Sequence, residues 1–279
     1  MIKSISYWSM KEGLSNNHPI GDALAAAKDA GFEGLELCIG LEGVLTPETS
    51  QADCEGIRKQ INSAGLTVET LASGMSWVFN PASNEAAVRS KAIELHAAAL
   101  QRAAWLGCEA MLFVPGVVKS PVVPGELVRY DLAIERARAA VQHLLEAAET
   151  LNVDLCVENV WSGLFYSPLE FAQFIDSFGS DRLGVYFDAG NLLGHHQHPP
   201  HWIELLGERI KRVHVKEFKE AVGSIEGFCD LLEGDMPWPE TMAALRQIGY
   251  DKTIVAEMIP WNDGLLERTS AAMDKIFAM

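Results

Sequence analysis

The chain has 279 residues, of which 48% are hydrophobic, and its formal net charge is −16. That apolar content is enough for a sizeable core and too high for a disordered chain. No apolar run reaches the length of a membrane span, Met1–Met10 lacks the basic start and apolar stretch of a secretory signal, and so acidic a field repels a phosphodiester backbone. The expectation is therefore a soluble chain with no membrane and no nucleic-acid partner. Five scattered cysteines (Cys38, Cys54, Cys108, Cys156, Cys229) form no CxxC pair, which fits reduced thiols in a cytoplasmic protein.

The first strand is predicted over Ile2–Trp8. A helical segment, Ala23–Ala30, then stops at Gly31 before a strand at Gly34–Cys38. The same grammar recurs: Ile57–Ala64 stops at Gly65 before Leu66–Leu71, and Glu85–Leu106 stops at Gly107 before Met111–Pro115. Leu127–Leu151 stops at Asn152 before Asp154–Glu158, the fifth strand. Leu183–Asp188 is the sixth, the short helical segment Trp202–Gly207 precedes the seventh at Ile210–His214, and Met242–Ile248 stops at Gly249 before Thr253–Glu257. Gly and Asn accept the left-handed backbone that ends helices, so each stop marks a helix-to-strand crossing. Strict alternation implies parallel strands with right-handed crossovers. Eight units with no break in composition predict one closed (β/α)8 TIM-barrel domain over residues 1–279, a fold that typically needs about 250 residues. An open dinucleotide-binding sheet would carry a glycine-rich turn after an early strand, whereas Gly31-Phe32-Glu33-Gly34 precedes its strand. The sequence holds no P-loop and no GxSxG.

The last four strands end on Glu158, Asp188, His214 and Glu257. In a parallel barrel the carboxyl ends of all strands open on one face, so these four converge at the mouth. Any one of them alone reads as a solvated strand-end group; one from each of four consecutive strands is a stronger coincidence. Three carboxylates and an imidazole suit Mn2+, Mg2+, Co2+ or Zn2+, and the set is too rich in oxygen for a structural zinc site. Clustering about three negative charges is unfavourable without a cation to relieve their repulsion.

With that order of ligands, the stretches Val157-Glu158-Asn159, Phe187-Asp188-Ala189-Gly190-Asn191, Val213-His214-Val215-Lys216-Glu217 and Leu231-Leu232-Glu233-Gly234-Asp235-Met236-Pro237-Trp238 resemble the xylose-isomerase-like barrel superfamily. Within it the chain is similar to the group of ketose 3-epimerases, L-xylulose-5-phosphate 3-epimerase, hydroxypyruvate isomerase and inosose-processing enzymes. The likeness is clearest from about residue 150 to 260, where Ile248-Gly249-Tyr250-Asp251 leading to Ala256-Glu257 also matches. The resemblance implies that Glu158, Asp188, His214 and Glu257 hold one divalent ion, Mn2+ before the others, and that Glu158 and Glu257 are the acid/base pair on opposite faces of a bound sugar. A ketose chelated through its carbonyl and adjacent hydroxyl has its α-proton acidified and its enediolate stabilised by the metal. One carboxylate removes the proton and the other returns one from the far face. The expected substrate is a small sugar or sugar phosphate, and barrels of this group often pair into homo-oligomers.

The substrate contacts rest on single residues. Lys216 is two residues past His214 and so shares its face of the strand, within reach of a substrate oxygen or phosphate, or else of solvent. Glu217 stands where the group usually has Asp. Asn191 resembles the phosphosugar members, since enzymes of free ketohexoses commonly have His at that place. Those enzymes also carry a Glu six residues past the first ligand, where this chain has Leu164, a departure from that narrow type. Glu36 closes the second strand as a candidate acceptor for a ligand, against the plainer reading of a loop carboxylate. Trp8 and Trp161 are candidate walls against a sugar face, against the plainer reading of core packing. The tract His195-His196-Gln197-His198-Pro199-Pro200-His201 reads as a solvated loop rather than a metal site, though its place after the sixth strand puts it near the mouth. Three other readings remain: a dehydratase of a cyclic polyol ketone on the same metal and base, a non-catalytic sugar-binding barrel, and an abasic-site endonuclease. The last is discounted for want of further strand-end histidines and because of the negative charge.

Overall fold

A computed structural model describes residues 1–121 and 125–279. Eight strands close a parallel barrel: β1 (Ile2–Ser6), β2 (Gly34–Ile39), β3 (Thr70–Ser73), β4 (Ala110–Phe113), β5 (Asp154–Glu158), β6 (Leu183–Asp188), β7 (Ile210–Val215) and β10 (Thr253–Ala256). Closure is made by β1 lying parallel to β10, with Ile2 opposite Thr253 and Ile5 opposite Ala256. Glu217–Phe218 (β8) and Phe228–Cys229 (β9) pair as a small antiparallel ribbon inserted after β7. The helices are α1 (Ile20–Asp29), α2 (Gln51–Ala64), α3 (Ala86–Leu106), α4 (Tyr130–Leu151), α5 (Pro168–Asp176), α6 (Ala189–Leu193), α7 (Pro199–Leu206), α8 (Trp238–Gln247) and α9 (Leu265–Phe277). This is the TIM barrel that the alternating pattern predicts.

The stops act as expected. Gly65, Gly107 and Asn152 each follow a helix in the left-handed conformation, at φ of 71°, 84° and 56°. Helix starts are set by hydroxyl caps where one is available: the Ser50 side chain accepts from Asp53 N and that of Ser167 from Leu169 N, with Pro168 in the first turn. The apolar stripes of α3 and α4, including Leu95, Ala99, Ala103, Ala137, Val141 and Leu144, are buried with the outer faces of the strands.

Three elements depart from the sequence reading. The first strand ends at Ser6 rather than Trp8, because the Ser6 hydroxyl caps a short 3-10 turn over Tyr7–Ser9. The third lies at Thr70–Ser73 rather than Leu66–Leu71, and Thr67 makes only an isolated bridge to Gly34. The histidine tract is not all loop: two prolines start α7, placing His201 in the helix and His198 at its cap. Among the described residues no helix is long and apolar enough to cross a membrane.

Candidate active site

The register of the strands places the four acidic and imidazole side chains. Asp188 and His214 lie directly opposite one another on β6 and β7. Glu158 ends β5 opposite Tyr186. Glu257 follows β10 immediately, its backbone N–H donating to Val215 O at 3.1 Å. One ligand atom from each of the four lies within 4.8 Å of the others, and all four residues are buried.

Neighbouring loops lock these groups. The Asn159 side chain donates to Asp188 O at 2.7 Å and accepts from Asp188 N at 2.9 Å, joining the ends of β5 and β6. Asp188 Oδ1 caps α6 by accepting from Asn191 N at 3.0 Å. The Asn191 amide nitrogen in turn donates to Asn159 O at 3.1 Å and to Glu158 Oε1 at 3.4 Å. Gly190 lets this turn press on β7: a Cβ there would stand 2.5 Å from Lys216 Cβ, so no other residue fits without displacement.

Glu36 does not line the cavity. It lies beneath it, where Glu36 Oε1 accepts from His214 Nε2 at 2.8 Å. Its other oxygen accepts from Thr70 Oγ1 at 3.0 Å and from the Tyr186 hydroxyl. Residues of β2, β3, β6 and β7 thus meet across the barrel interior. A proton held on His214 Nε2 by this carboxylate leaves Nδ1 as the lone pair facing the cluster.

The electrostatics follow from burial and these contacts. Burial raises Glu158 to about 8, helped by the Glu257 and Asp188 charges and opposed by Lys216. Burial also disfavours the charged form of Glu257, but Lys216 and His214 outweigh it and hold that carboxyl at about 2. Burial opposes charge on His214 too, yet the Glu36 and Glu257 carboxylates raise the imidazole well above its usual value. Lys216 Nζ sits 2.9 Å from Asp188 Oδ2 and 3.0 Å from Glu257 Oε2, so it touches the cluster itself.

Two atoms test whether the set fits a cation. Asp188 Oδ2 and His214 Nδ1 are fully buried; the first has only its ion pair with Lys216 Nζ at 2.9 Å, and the second makes no hydrogen bond. His214 Nδ1 is 2.9 Å from Glu257 Oε2 without the alignment to donate to it. An imidazole lone pair so close to a carboxylate is repulsive unless a positive charge stands between them, and unsatisfied buried polar atoms are rare. The mixed oxygen and nitrogen donors are those of a divalent ion such as Mn2+, Mg2+, Co2+ or Zn2+. The residues fit.

Above the cluster opens a cavity of about 450 Å³ that Trp8, Trp161, Asn191 and Lys216 help to line. Trp161 is tied to α6 by its Nε1–H, which donates to Asn191 O at 2.8 Å, and packs on Phe218 and Phe228 with ring centroids 5.7 and 5.4 Å away. Glu217 organises the roof: its carboxylate accepts from Phe218 N, Leu232 N, Met236 N and Trp238 Nε1 at 2.8–3.2 Å. Leu164 is buried and lies outside the cavity lining. His195 packs on Trp161, and His198 Nε2 meets Glu240 Oε2 at 3.5 Å, so neither belongs to the cluster. Sequence reasoning missed Trp77, Phe228, Met258 and Pro260 in the wall. Phe228 and the segment after Glu257 follow recognised strand ends, which is the one signal that places them at the mouth.

The structure is a closed β/α barrel that gathers three carboxylates and an imidazole, a group that could hold a metal ion, from four adjacent strand ends. The chain is a member of the xylose isomerase-like TIM barrel family, which it matches over residues 24–274. It is 26% identical over 165 residues to the D-psicose 3-epimerase of Enterocloster bolteae; the match takes in 53% of this chain and about half, 52%, of that relative. Among solved structures, a D-psicose 3-epimerase with D-tagatose from Clostridium cellulolyticum H10 superposes with a TM-score of 0.81 at 19% identity, covering 99% of this chain and 98% of that one. An L-ribulose 3-epimerase superposes at 0.80 with 20% identity, covering 99% and 94%. At these identities the superpositions establish a shared fold.

Proposed function

We propose that this chain is a divalent-metal-dependent 3-epimerase or isomerase of a small ketose. The observation that carries the reading is the buried gathering of Glu158, Asp188, His214 and Glu257, in which His214 Nδ1 is left without a hydrogen-bond partner. The kinship with ketose 3-epimerases supports it. Glu158, Asp188, His214 and Glu257 would hold the ion, with Mn2+ the first choice. When bound, such an ion supplies a Lewis acid that acidifies the proton on a carbon beside a carbonyl.

The chain's own residues do the rest. Glu158 and Glu257 stand on the two outer strands of the set β5, β6, β7 and β10, so a ketose lying over Asp188 and His214 meets a carboxyl on each side. One glutamate takes the proton from the reacting carbon and the other returns a proton on the opposite face, inverting that carbon. Their environments already differ: Glu257 lies against Lys216, while Glu158 has Asn191 as its donor. Pairs of carboxyls pushed apart in this way divide into acid and base. Trp8 and Trp161 shield the site from water.

Solvent-deuterium incorporation into ketopentoses and ketohexoses, followed by NMR with Mn2+ and with EDTA, tests the proposal. The expected result is EDTA-sensitive exchange at one carbon, lost in Glu158→Gln. Exchange that survives EDTA, or that is unchanged in the variant, refutes it.

A further inference from the structure

Four of the chain's eight histidines fall between residues 195 and 201, and the group gathered at the barrel mouth takes in none of them. Their surroundings divide them. His195 is packed on Trp161 and Tyr166, with ring centroids 5.3 and 5.1 Å away. His198 and His201 meet each other instead, with ring centroids 4.4 Å apart and planes crossing at 76°. Local sequence sets up that contact. Pro199 and Pro200 open α7, so His198 is its cap and His201 its third residue, at the i, i+3 spacing that shares a helix face. A proline ring fixes φ, and both prolines are buried, so this turn is rigid before any ligand arrives.

A third group comes from the neighbouring helix. α8 packs against α7, and Glu240 in its first turn brings Oε2 to 3.5 Å from His198 Nε2. Among the described residues the side chains of His198, His201 and Glu240 make no hydrogen bond, so their donor atoms are unspent. Two donors on a tetrahedral zinc ion, each about 2.0–2.1 Å from it, stand roughly 3.4 Å apart. The His198–Glu240 spacing fits that edge. Two imidazoles with one carboxylate are richer in nitrogen than the mouth cluster, and imidazole suits Zn2+ or Ni2+ where carboxylate suits Mn2+ or Mg2+. The His198 and Glu240 side chains are 41% and 69% exposed, so an ion reaches them without entering the barrel. A net charge of −16 draws cations to the surface.

We propose that His198, His201 and Glu240 form a second metal site, for Zn2+ or a similar nitrogen-seeking divalent ion, that clips the start of α7 to the start of α8. His198 and Glu240 already stand at ligand spacing. The exposed His201 ring turns to bring a nitrogen to the same point, a rotation that surface side chains make within nanoseconds. Water completes the shell. None of the three residues lines the cavity, so the site is separate from the mouth cluster and does not rest on the ketose reading. The clip still bears on the frame of the cavity. α8 begins at Trp238, whose Nε1–H donates to Glu217 in the roof at 2.8 Å, and the tract leading into α7 carries His195 behind Trp161. An ion here ties the segment that holds the roof to the segment that backs the wall.

Calorimetric titration of Zn2+ into the full chain tests the site, comparing the parent with His198→Ala, His201→Ala, Glu240→Gln and Asp188→Asn. The expected result is a binding event, present in the parent and in Asp188→Asn, that weakens at least about tenfold in each of the three surface variants. In the Asp188→Asn background zinc should also raise the unfolding temperature, and adding His201→Ala should abolish that rise. An event equally strong in all three surface variants, or one lost in Asp188→Asn alone, assigns the zinc to the mouth cluster and overturns the inference. Loss in His198→Ala alone leaves a single surface imidazole and overturns it as well, as does a parent that binds no zinc.

Discussion

Replacing Glu36 by Gln isolates the role of the carboxylate beneath His214. Glutamine keeps the size and can still accept from His214 Nε2, so the imidazole stays in place, but the charge is gone. The contact is 2.8 Å long and wholly buried, so solvent screens none of it. A hydrogen bond to a charged partner contributes about 1.5–3 kcal/mol and a neutral one about 0.5–1.5. The amide also presents two donors where Thr70 and Tyr186 now donate to Glu36. The combined loss falls near 1.4–2.8 kcal/mol, or about 10–100-fold in metal affinity, the range for a carboxylate that orients a ligating histidine. Calorimetric titration of Mn2+ into the two proteins measures it directly, and 15N NMR of the imidazole reports which nitrogen keeps its proton. In the metal-loaded parent Nε2 alone should keep its proton; in Glu36→Gln the two tautomers should mix. Affinity within twofold of the parent, with an unchanged tautomer, would show that Glu36 only fills space.

Lys216→Ala removes the ammonium that now neutralises Asp188 and Glu257, so Mn2+ should bind about tenfold more tightly while deuterium exchange slows for every accepted substrate. A loss confined to phosphorylated substrates would instead make Lys216 a phosphate ligand. Gly190→Ala forces a methyl group to within 2.5 Å of Lys216 Cβ, and overpacking of this kind should destabilise the protein by about 1–3 kcal/mol in denaturant unfolding; an unchanged midpoint would refute the close approach. Burial holds His96 at about 4 against its ordinary 6.5, so between those values the unfolded chain binds the extra proton. Its contribution to stability is therefore complete above about pH 6.5 and is lost as the pH falls toward 4, by about 3 kcal/mol in all. Unfolding of His96→Asn compared with the parent at pH 7 and pH 4.5 checks it, and an identical acid-side slope in the two proteins would remove His96 from the account.

The four strands were legible because each announces itself locally as a short apolar run, two of them behind the stops Asn152 and Gly249, although the seventh runs one residue past His214 and the last ends one residue before Glu257. Boundaries were less legible where a side chain competes with the strand for backbone groups. The Ser6 hydroxyl turns the chain at Tyr7, and the two prolines at 199 and 200 start a helix inside a tract that reads as loop. The ribbon of Glu217–Phe218 with Phe228–Cys229 spans two residues a side, too short to show a period. The wall of the cavity was hidden for a different reason: Trp77, Met258 and Pro260 lie in connecting segments, where nothing in the spacing tells an inward side chain from an outward one.

The cross-barrel network shows where local pattern stops being informative. Glu36 and His214 are 178 residues apart in sequence and Glu36 and Tyr186 are 150 apart, yet all three meet in the barrel interior. Each is unremarkable in its own strand: a glutamate in Leu35-Glu36-Leu37, a tyrosine between Val185 and Phe187. Only closure of the sheet brings β2 round to face β6 and β7, where the carboxylate that reads as a candidate acceptor for a ligand takes its hydrogen bond from His214. A buried carboxylate is tolerated in that position because it accepts from an imidazole and two hydroxyls at once, and a half-satisfied version would be worse than an apolar core. The same contacts hold His214 with Nδ1 toward Asp188, Glu158 and Glu257, the group that could hold a cation.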